Sequence, residues 1–170
     1  MANRAVSLDL VGGTGMTRWL WLSLIVILLD QSTKQIAEAL LTHAQPVNVL
    51  PVFSFTLLYN KGAAFSFLSD QAGWQRWFFI LLALVVSSVL IAWLSRLKRE
   101  ERWTAVALAL IIGGALGNVI DRILLGQVID FLHFHYGNHD FPAFNIADSA
   151  ITVGVAIMLL DALVLSRRRS

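Results

Sequence analysis

The chain has 170 residues, room for one domain, and it is 57% hydrophobic with six tryptophans and only 14% charged residues. That composition excludes an ordinary soluble globule and fits a bilayer protein with aromatic anchors. A formal net charge of +2 is too small to call for nucleic acid, and the absence of cysteine removes disulfides, thiolate metal sites, thiol nucleophiles and any lipid on a cysteine of this chain.

Taken in chain order, residues 1–16 are small, polar and glycine-bearing, which predicts a flexible N-terminal segment, with Met16 as an alternative start. Trp19 to Leu29 is strongly apolar and continues helically through Asp30-Gln31-Ser32-Thr33-Lys34, giving a first span over about 17–40. Arg4, Arg18 and the apolar run imitate a cleavable signal peptide ending at Ala37-Glu38-Ala39, but the gap to that site is too long and contains a charged pair. Residues 45–68, with Pro46, Pro51 and the β-branched and aromatic run Val52 to Tyr59, read as short strands whose amphipathic sheet rests on the outer membrane surface. Trp77 to Leu94 and Trp103 to Ile120 are each 18 residues without a charge, about long enough to cross the hydrocarbon core; they predict spans over about 75–96 and 103–124. After a turn signal at Gly126, the chain reaches a fourth apolar stretch over about 146–166, interrupted only by Asp148 and Asp161. The expected fold is an all-α polytopic membrane protein: four transmembrane helices with a small extracytoplasmic β-sheet and loop region, residues 17–170 forming one membrane-embedded domain. Arg18, the group Arg96, Lys98, Arg99 and Arg102, and Arg167 to Arg169 then share one side, which puts both termini in the cytoplasm.

The polar residues carry the chemistry. Asp148 lies roughly 26 Å of helix rise from Leu165, at the outer boundary of the hydrocarbon, and Asp130 returns to the same face after Gly126. Such a boundary raises a carboxyl pKa by desolvation and a neighbouring carboxylate raises one of a pair further, so two carboxylates there can share one proton as general acid and general base; alone, each would be a headgroup-solvated or helix-capping residue. Asp30 and Lys34, spaced i,i+4, form an ion pair past the bilayer midpoint that either only holds the fold or braces a site or substrate. Gly113 and Gly117 form a small-xxx-small pair that lets helices approach closely. Asn118 and Arg122 share one face a turn above Gly114 and supply donors for a peptide carbonyl or a polar headgroup. Asn60-Lys61-Gly62 has turn chemistry. His133, His135 and His139 with Asp140 raise a metal site, but no His-Glu-x-x-His pattern accompanies them and none is assigned.

Together, Asp30 to Lys34, Asn60-Lys61-Gly62-Ala63-Ala64-Phe65, the run Gly113 to Arg122, Val128-Ile129-Asp130-Phe131 and Phe144-Asn145-Ile146-Ala147-Asp148 resemble the lipoprotein signal peptidase (signal peptidase II) family, in the family's order, over residues 17–165. The resemblance implies a bacterial inner-membrane aspartyl endopeptidase that cuts on the amino side of a diacylglyceryl-modified cysteine in a prolipoprotein. It implies Asp130 and Asp148 as the catalytic dyad, membrane lipid around the substrate's chains, and inhibition by the cyclic peptide globomycin; no cofactor is implied, and a monomer is expected. Asn60, Gly62, Gly114, Asn118, Arg122 and Asn145 are the candidates for holding substrate or site, with Asp30 and Lys34 as braces. A proton-coupled transporter or a lipoprotein binder that cuts nothing also places carboxylates beside Lys and Arg in a membrane. Crowding of the polar residues into the outer half favours the peptidase.

Overall fold

The computed structural model describes residues 15–62, 73–137 and 139–165. A 3-10 turn at Thr17–Trp19 leads into α1 (Leu20–Leu40); β1 (Val47–Leu50) and β2 (Phe53–Asn60) follow, then α2 (Trp74–Arg96), α3 (Arg102–Leu125), β3 (Val128–Tyr136), β4 (His139–Asp140) and α4 (Ile146–Leu160), which runs on as a π-helical turn at Asp161–Leu165. Helices thus stand at all four expected places. Three stretches, Trp74–Arg96, Arg102–Leu125 and Ile146–Leu163, are long and apolar enough to cross a membrane among the described residues. In α1 the polar residues Asp30, Gln31, Lys34 and Gln35 dilute the apolar run.

The helices are arranged around α3, which contacts each of the other three. Most of its length is buried, whereas α2 and α4 turn large apolar side chains such as Trp77, Leu81, Val89 and Leu159 outward, as helices facing lipid do. Close approach on both sides of α3 depends on missing side chains. A Cβ at Gly117 would lie 2.7 Å from a carboxylate oxygen of Asp30, and one at Gly114 would run into the carbonyl oxygen of Ala147 at the head of α4. Ser23 adds a buried interhelical hydrogen bond to the Ala109 carbonyl at 2.7 Å. Far from the sheet, Thr104 of α3 donates to the buried Asp161 carboxylate at 2.5 Å.

Gly126 ends α3 in the left-handed region, φ 77°, with its N–H on the Arg122 carbonyl, and so turns the chain straight into β3. The four strands form one antiparallel sheet in the order β1-β2-β3-β4. The expected strands over 45–68 are present up to Asn60, but pairing of β2 with β3 joins the two outer segments, which local sequence did not specify. Register places Leu58 opposite Asp130 and Asn60 opposite Val128, after an irregularity between Phe55 and Leu58. Ala37, Leu57, Ile129 and Phe131 fasten the sheet to the end of α1. At the other end, Met16 is buried with Leu94, Ala105, Leu108 and Ile112, so the packed chain includes Met16; the remainder of the flexible-segment expectation, residues 1–14, lies outside the described residues, as do Ala63-Ala64-Phe65 and Arg167 to Arg169.

Candidate active site

Asn145 caps α4. Its side-chain oxygen accepts the Asp148 backbone N–H at 2.9 Å, and the Asp148 carboxylate accepts the Asn145 backbone N–H at 3.3 Å, a capping box. This local motif alone would explain Asp148. Its second carboxylate oxygen, however, accepts from the Asn118 amide on α3 at 2.7 Å, a contact that capping does not require.

Asp130 reaches the same place from the sheet. Strand alternation gives Ile129 and Phe131 to the apolar core and turns Asp130 the other way. Its carboxylate is 3% exposed; it accepts from the Asn145 amide at 2.8 Å and from the Asn60 amide at 3.2 Å. Asn145 therefore touches both carboxylates, one through its side chain and one through its backbone. Burial, first, and the charge of Asp148, second, push the Asp130 pKa from 3.8 up to about 7, against the smaller lowering effects of Asn60, Lys34 and Asn145.

Behind the two carboxylates lies a buried ionic cluster. Lys34, 1% exposed, binds Asp30 at 2.7 Å and Asp121 at 2.8 Å, and its third donor goes to the Asn118 side-chain oxygen at 3.0 Å. Asp30 also accepts the Ala147 N–H at 2.9 Å, one of the N–H groups that the start of α4 leaves without a helical partner. Asp121 accepts the Ile129 N–H of β3 at 3.1 Å and the Gln31 amide at 2.7 Å. The i,i+4 pair expected at Asp30 and Lys34 thus supplies two of the three members of a triad that ties α1, α3, β3 and α4 together. Removing one member of such a buried cluster leaves a charge uncompensated, at a cost of about 3–5 kcal/mol.

The other expected residues fall around this centre. Gly62 adopts φ 102° and donates its N–H to the Asn60 side-chain oxygen at 2.8 Å; a Cβ there would lie 2.6 Å from the Phe79 ring. Arg122 donates to the Asn118 carbonyl at 3.2 Å and lies over the Phe79 ring at 5.2 Å. The three histidines stand apart on β3 and β4: His133 is 3.9 Å from the Asp140 carboxylate and 3.4 Å from the Thr56 hydroxyl. Among the described residues no three His, Cys, Asp or Glu side chains converge as a metal site. Asp130 forms part of the wall of a cavity of about 380 Å³ lined also by His43, Tyr59, Asn60, Lys61 and Pro142. Two carboxylates, one of them lining an open cavity and protonatable near neutrality, are equipped for acid–base hydrolysis without a covalent intermediate.

The family model described as signal peptidase (SPase) II matches residues 22–164. The chain belongs to the signal peptidase II family. A lipoprotein signal peptidase of Pseudomonas putida is 59% identical over 152 residues, 88% of this chain and 89% of the relative. One of Acinetobacter baumannii is 57% identical over 151 residues, 89% of this chain and 86% of the relative. A solved bacterial membrane enzyme, determined by the in meso method at 1.9 Å, superposes with a TM-score of 0.78 at 31% identity, over 89% of this chain and 96% of its own. Membership of the signal peptidase II family makes the chain a peptidase that removes signal peptides in lipoprotein processing, and the transporter and non-cleaving binder readings fall. Sequence reasoning for this family member left Asp121 and Gln31 without a role. The available signal was the i,i+3 spacing of Asn118 and Asp121, which puts both on the face of α3 that must meet Asp30 and Lys34.

Proposed function

We propose that this signal peptidase II acts as an aspartyl endopeptidase with Asp130 and Asp148 as its dyad, cleaving prolipoproteins on the amino side of a diacylglyceryl-modified cysteine. The observation that carries the reading is the shared clamp: Asn145 holds both carboxylates, and Asp130 has its pKa pushed up to about 7 by burial and by Asp148. Asp148, which accepts two N–H donors at the head of α4, serves as the base; Asp130, whose pKa is pushed up to about 7, serves as the acid. Asp148 takes a proton from water as its oxygen attacks the scissile carbonyl, while Asp130 gives its proton to the carbonyl oxygen, forming a diol. On breakdown, Asp148 passes its proton to the departing nitrogen, the C–N bond breaks, and Asp130 recovers a proton from the diol.

Residues 17–170 act as one membrane-embedded domain, with α1 as a fourth span in the bacterial inner membrane and both termini cytoplasmic. Its buried Asp30–Lys34–Asp121 cluster neutralises the charges that make α1 look less apolar. The sheet, which exposes Val47, Val49, Leu50, Phe134 and Phe141, lies against the outer leaflet. Arg122 and the Asn60–Gly62 turn face substrate backbone, membrane lipid surrounds the diacylglyceryl chains, and a globomycin-type cyclic peptide competes for the same opening. The enzyme works as a monomer. The test is a cleavage assay on one diacylglyceryl precursor and its unlipidated twin. Asp130→Asn and Asp148→Asn should each lower cleavage of the lipidated precursor on the order of 10²–10⁴-fold. Parent-rate cleavage by either variant removes that residue from the dyad, and equal cleavage of the twin removes the lipid requirement.

A further inference from the structure

Three asparagine amides surround the two aspartates, and each must present nitrogen to a carboxylate and oxygen away from it. An amide is nearly symmetric in shape, so packing alone does not choose between its two orientations; a neighbouring group that can only donate does. For Asn60 that group is the Gly62 backbone N–H, 2.8 Å from its side-chain oxygen. For Asn145 it is the Asp148 backbone N–H at 2.9 Å. Among the described residues no backbone N–H donates to the Asn118 side-chain oxygen. Its oxygen accepts from the Lys34 ammonium at 3.0 Å and from the Asn145 amide at 3.1 Å, and its nitrogen then donates to Asp148 at 2.7 Å. Reversal would set two donors against the Asn118 nitrogen and two acceptors, its own oxygen and Asp148, against each other.

We infer that Lys34 is a positioning residue that fixes the Asn118 amide with its nitrogen on Asp148, and that Asp121 serves to hold the Lys34 ammonium at that oxygen. Asn118 is set by side-chain donors, the Lys34 ammonium and the Asn145 amide, whereas the donors that set Asn60 and Asn145 belong to the backbone and are fixed by a turn and a helix end; of the two that set Asn118, the ammonium is the one with no acceptor to offer. An ammonium has three N–H donors and no acceptor, so it cannot tolerate the reversed amide. Asp30 and Asp121 take two of those donors at 2.7 and 2.8 Å, which leaves the third aimed at Asn118. The pair Lys34 and Asn118 is separated by 84 residues in sequence, and Asp121 joins them because its other oxygen is held by Gln31.

This rests on Asp148 being in the dyad, and the test separates the two claims. In a detergent-solubilised cleavage assay on a diacylglyceryl precursor, Lys34→Met should lower kcat on the order of tenfold to a hundredfold, the worth of one charge-assisted hydrogen bond, with KM nearly unchanged. The variant Lys34→Met with Asp121→Asn, which restores the parent's net charge in the cluster, should regain part of the thermal stability that Lys34→Met loses while keeping its low kcat. The variant Asn118→Leu with Lys34→Met should be no slower than Asn118→Leu alone, because both act through one hydrogen bond. Losses that multiply in that double variant, or a compensated variant that cleaves at the parent rate, overturn the inference. The near-isosteric Asn118→Asp provides a readout independent of the lysine: it removes the N–H to Asp148 and should also be slow, and parent-rate cleavage by it overturns the inference as well. Failure of the dyad itself would appear separately, as activity in Asp148→Asn.

Discussion

At the scale of the residue, the dominant quantity is the protonation of Asp130. Its pKa is pushed from 3.8 up to about 7, by burial first and by the Asp148 charge second. A general acid must hold its proton, so kcat/KM should fall as pH rises through about 7; an alkaline limb several units higher would remove Asp130 as the acid. Stability follows the same sign. The folded chain holds this proton over a pH range in which the unfolded chain has lost it, so the parent loses stability as pH rises from about 4 to about 7. Asp130→Asn has no such proton to lose, and its melting temperature should exceed that of the parent by more at pH 8 than at pH 5. An equal gap at both pH values would mean that the carboxyl is not held protonated. Asp130 and Asp148 were legible in sequence because a carboxylate beside an apolar run demands a reason. Asp121 was not: it lies next to Arg122 in a stretch that reads as a helix end, and its value comes from Lys34, Gln31 and Ile129, which approach it from α1 and β3.

At the scale of the element, the site is set by how closely α3 lies against α1 and α4. Gly114 permits the second approach, and a Cβ there would meet backbone, the Ala147 carbonyl, which cannot swing aside. Gly114→Ala should therefore push the head of α4 away, carrying Asn145 and Asp148 off the Asn118 amide. We expect destabilisation of about 1–3 kcal/mol and a loss of cleavage larger than the loss of folded protein. Full activity at unchanged melting temperature would mean that the helices can part without disturbing the site. Gly113 and Gly117, not Gly114, were visible as a small-xxx-small pair, and the helices expected over about 75–96 and 103–124 lie within a residue of the ends of α2 and α3. The sheet was less legible. Strand character in 45–68 follows from local composition, but β2 pairing with β3 brings Asn60 and Asp130 together across 70 residues, and no local preference specifies such a partner.

At the scale of the whole molecule, the proposed orientation rests on where the basic residues collect along the sequence. With no native cysteine, single-cysteine variants report on a silent background. A thiol placed at His139→Cys, beyond β3, should react with an impermeant maleimide on intact spheroplasts, and one at Arg99→Cys, between α2 and α3, only after lysis. Reaction of Arg99→Cys from outside would invert the proposed topology. In the proposed topology the cavity beside Asp130 opens on the outer side, so outside labelling of His139→Cys also tests the face from which a precursor is to be reached.

The sequence by itself determined the helices, the sites of close helix contact, the pair of aspartates and the resemblance to signal peptidase II, because these depend on the order and spacing of residues along one chain. The tertiary structure alone decided which donor faces which acceptor. Asn60, Asn118 and Asn145 are the same residue type, with oxygen and nitrogen in nearly interchangeable places. The Gly62 N–H at Asn60, the Lys34 ammonium and the Asn145 amide at Asn118, and the Asp148 N–H at Asn145 stand against the side-chain oxygens and leave all three nitrogens towards the carboxylates, since a donor cannot rest against a donor in a buried site.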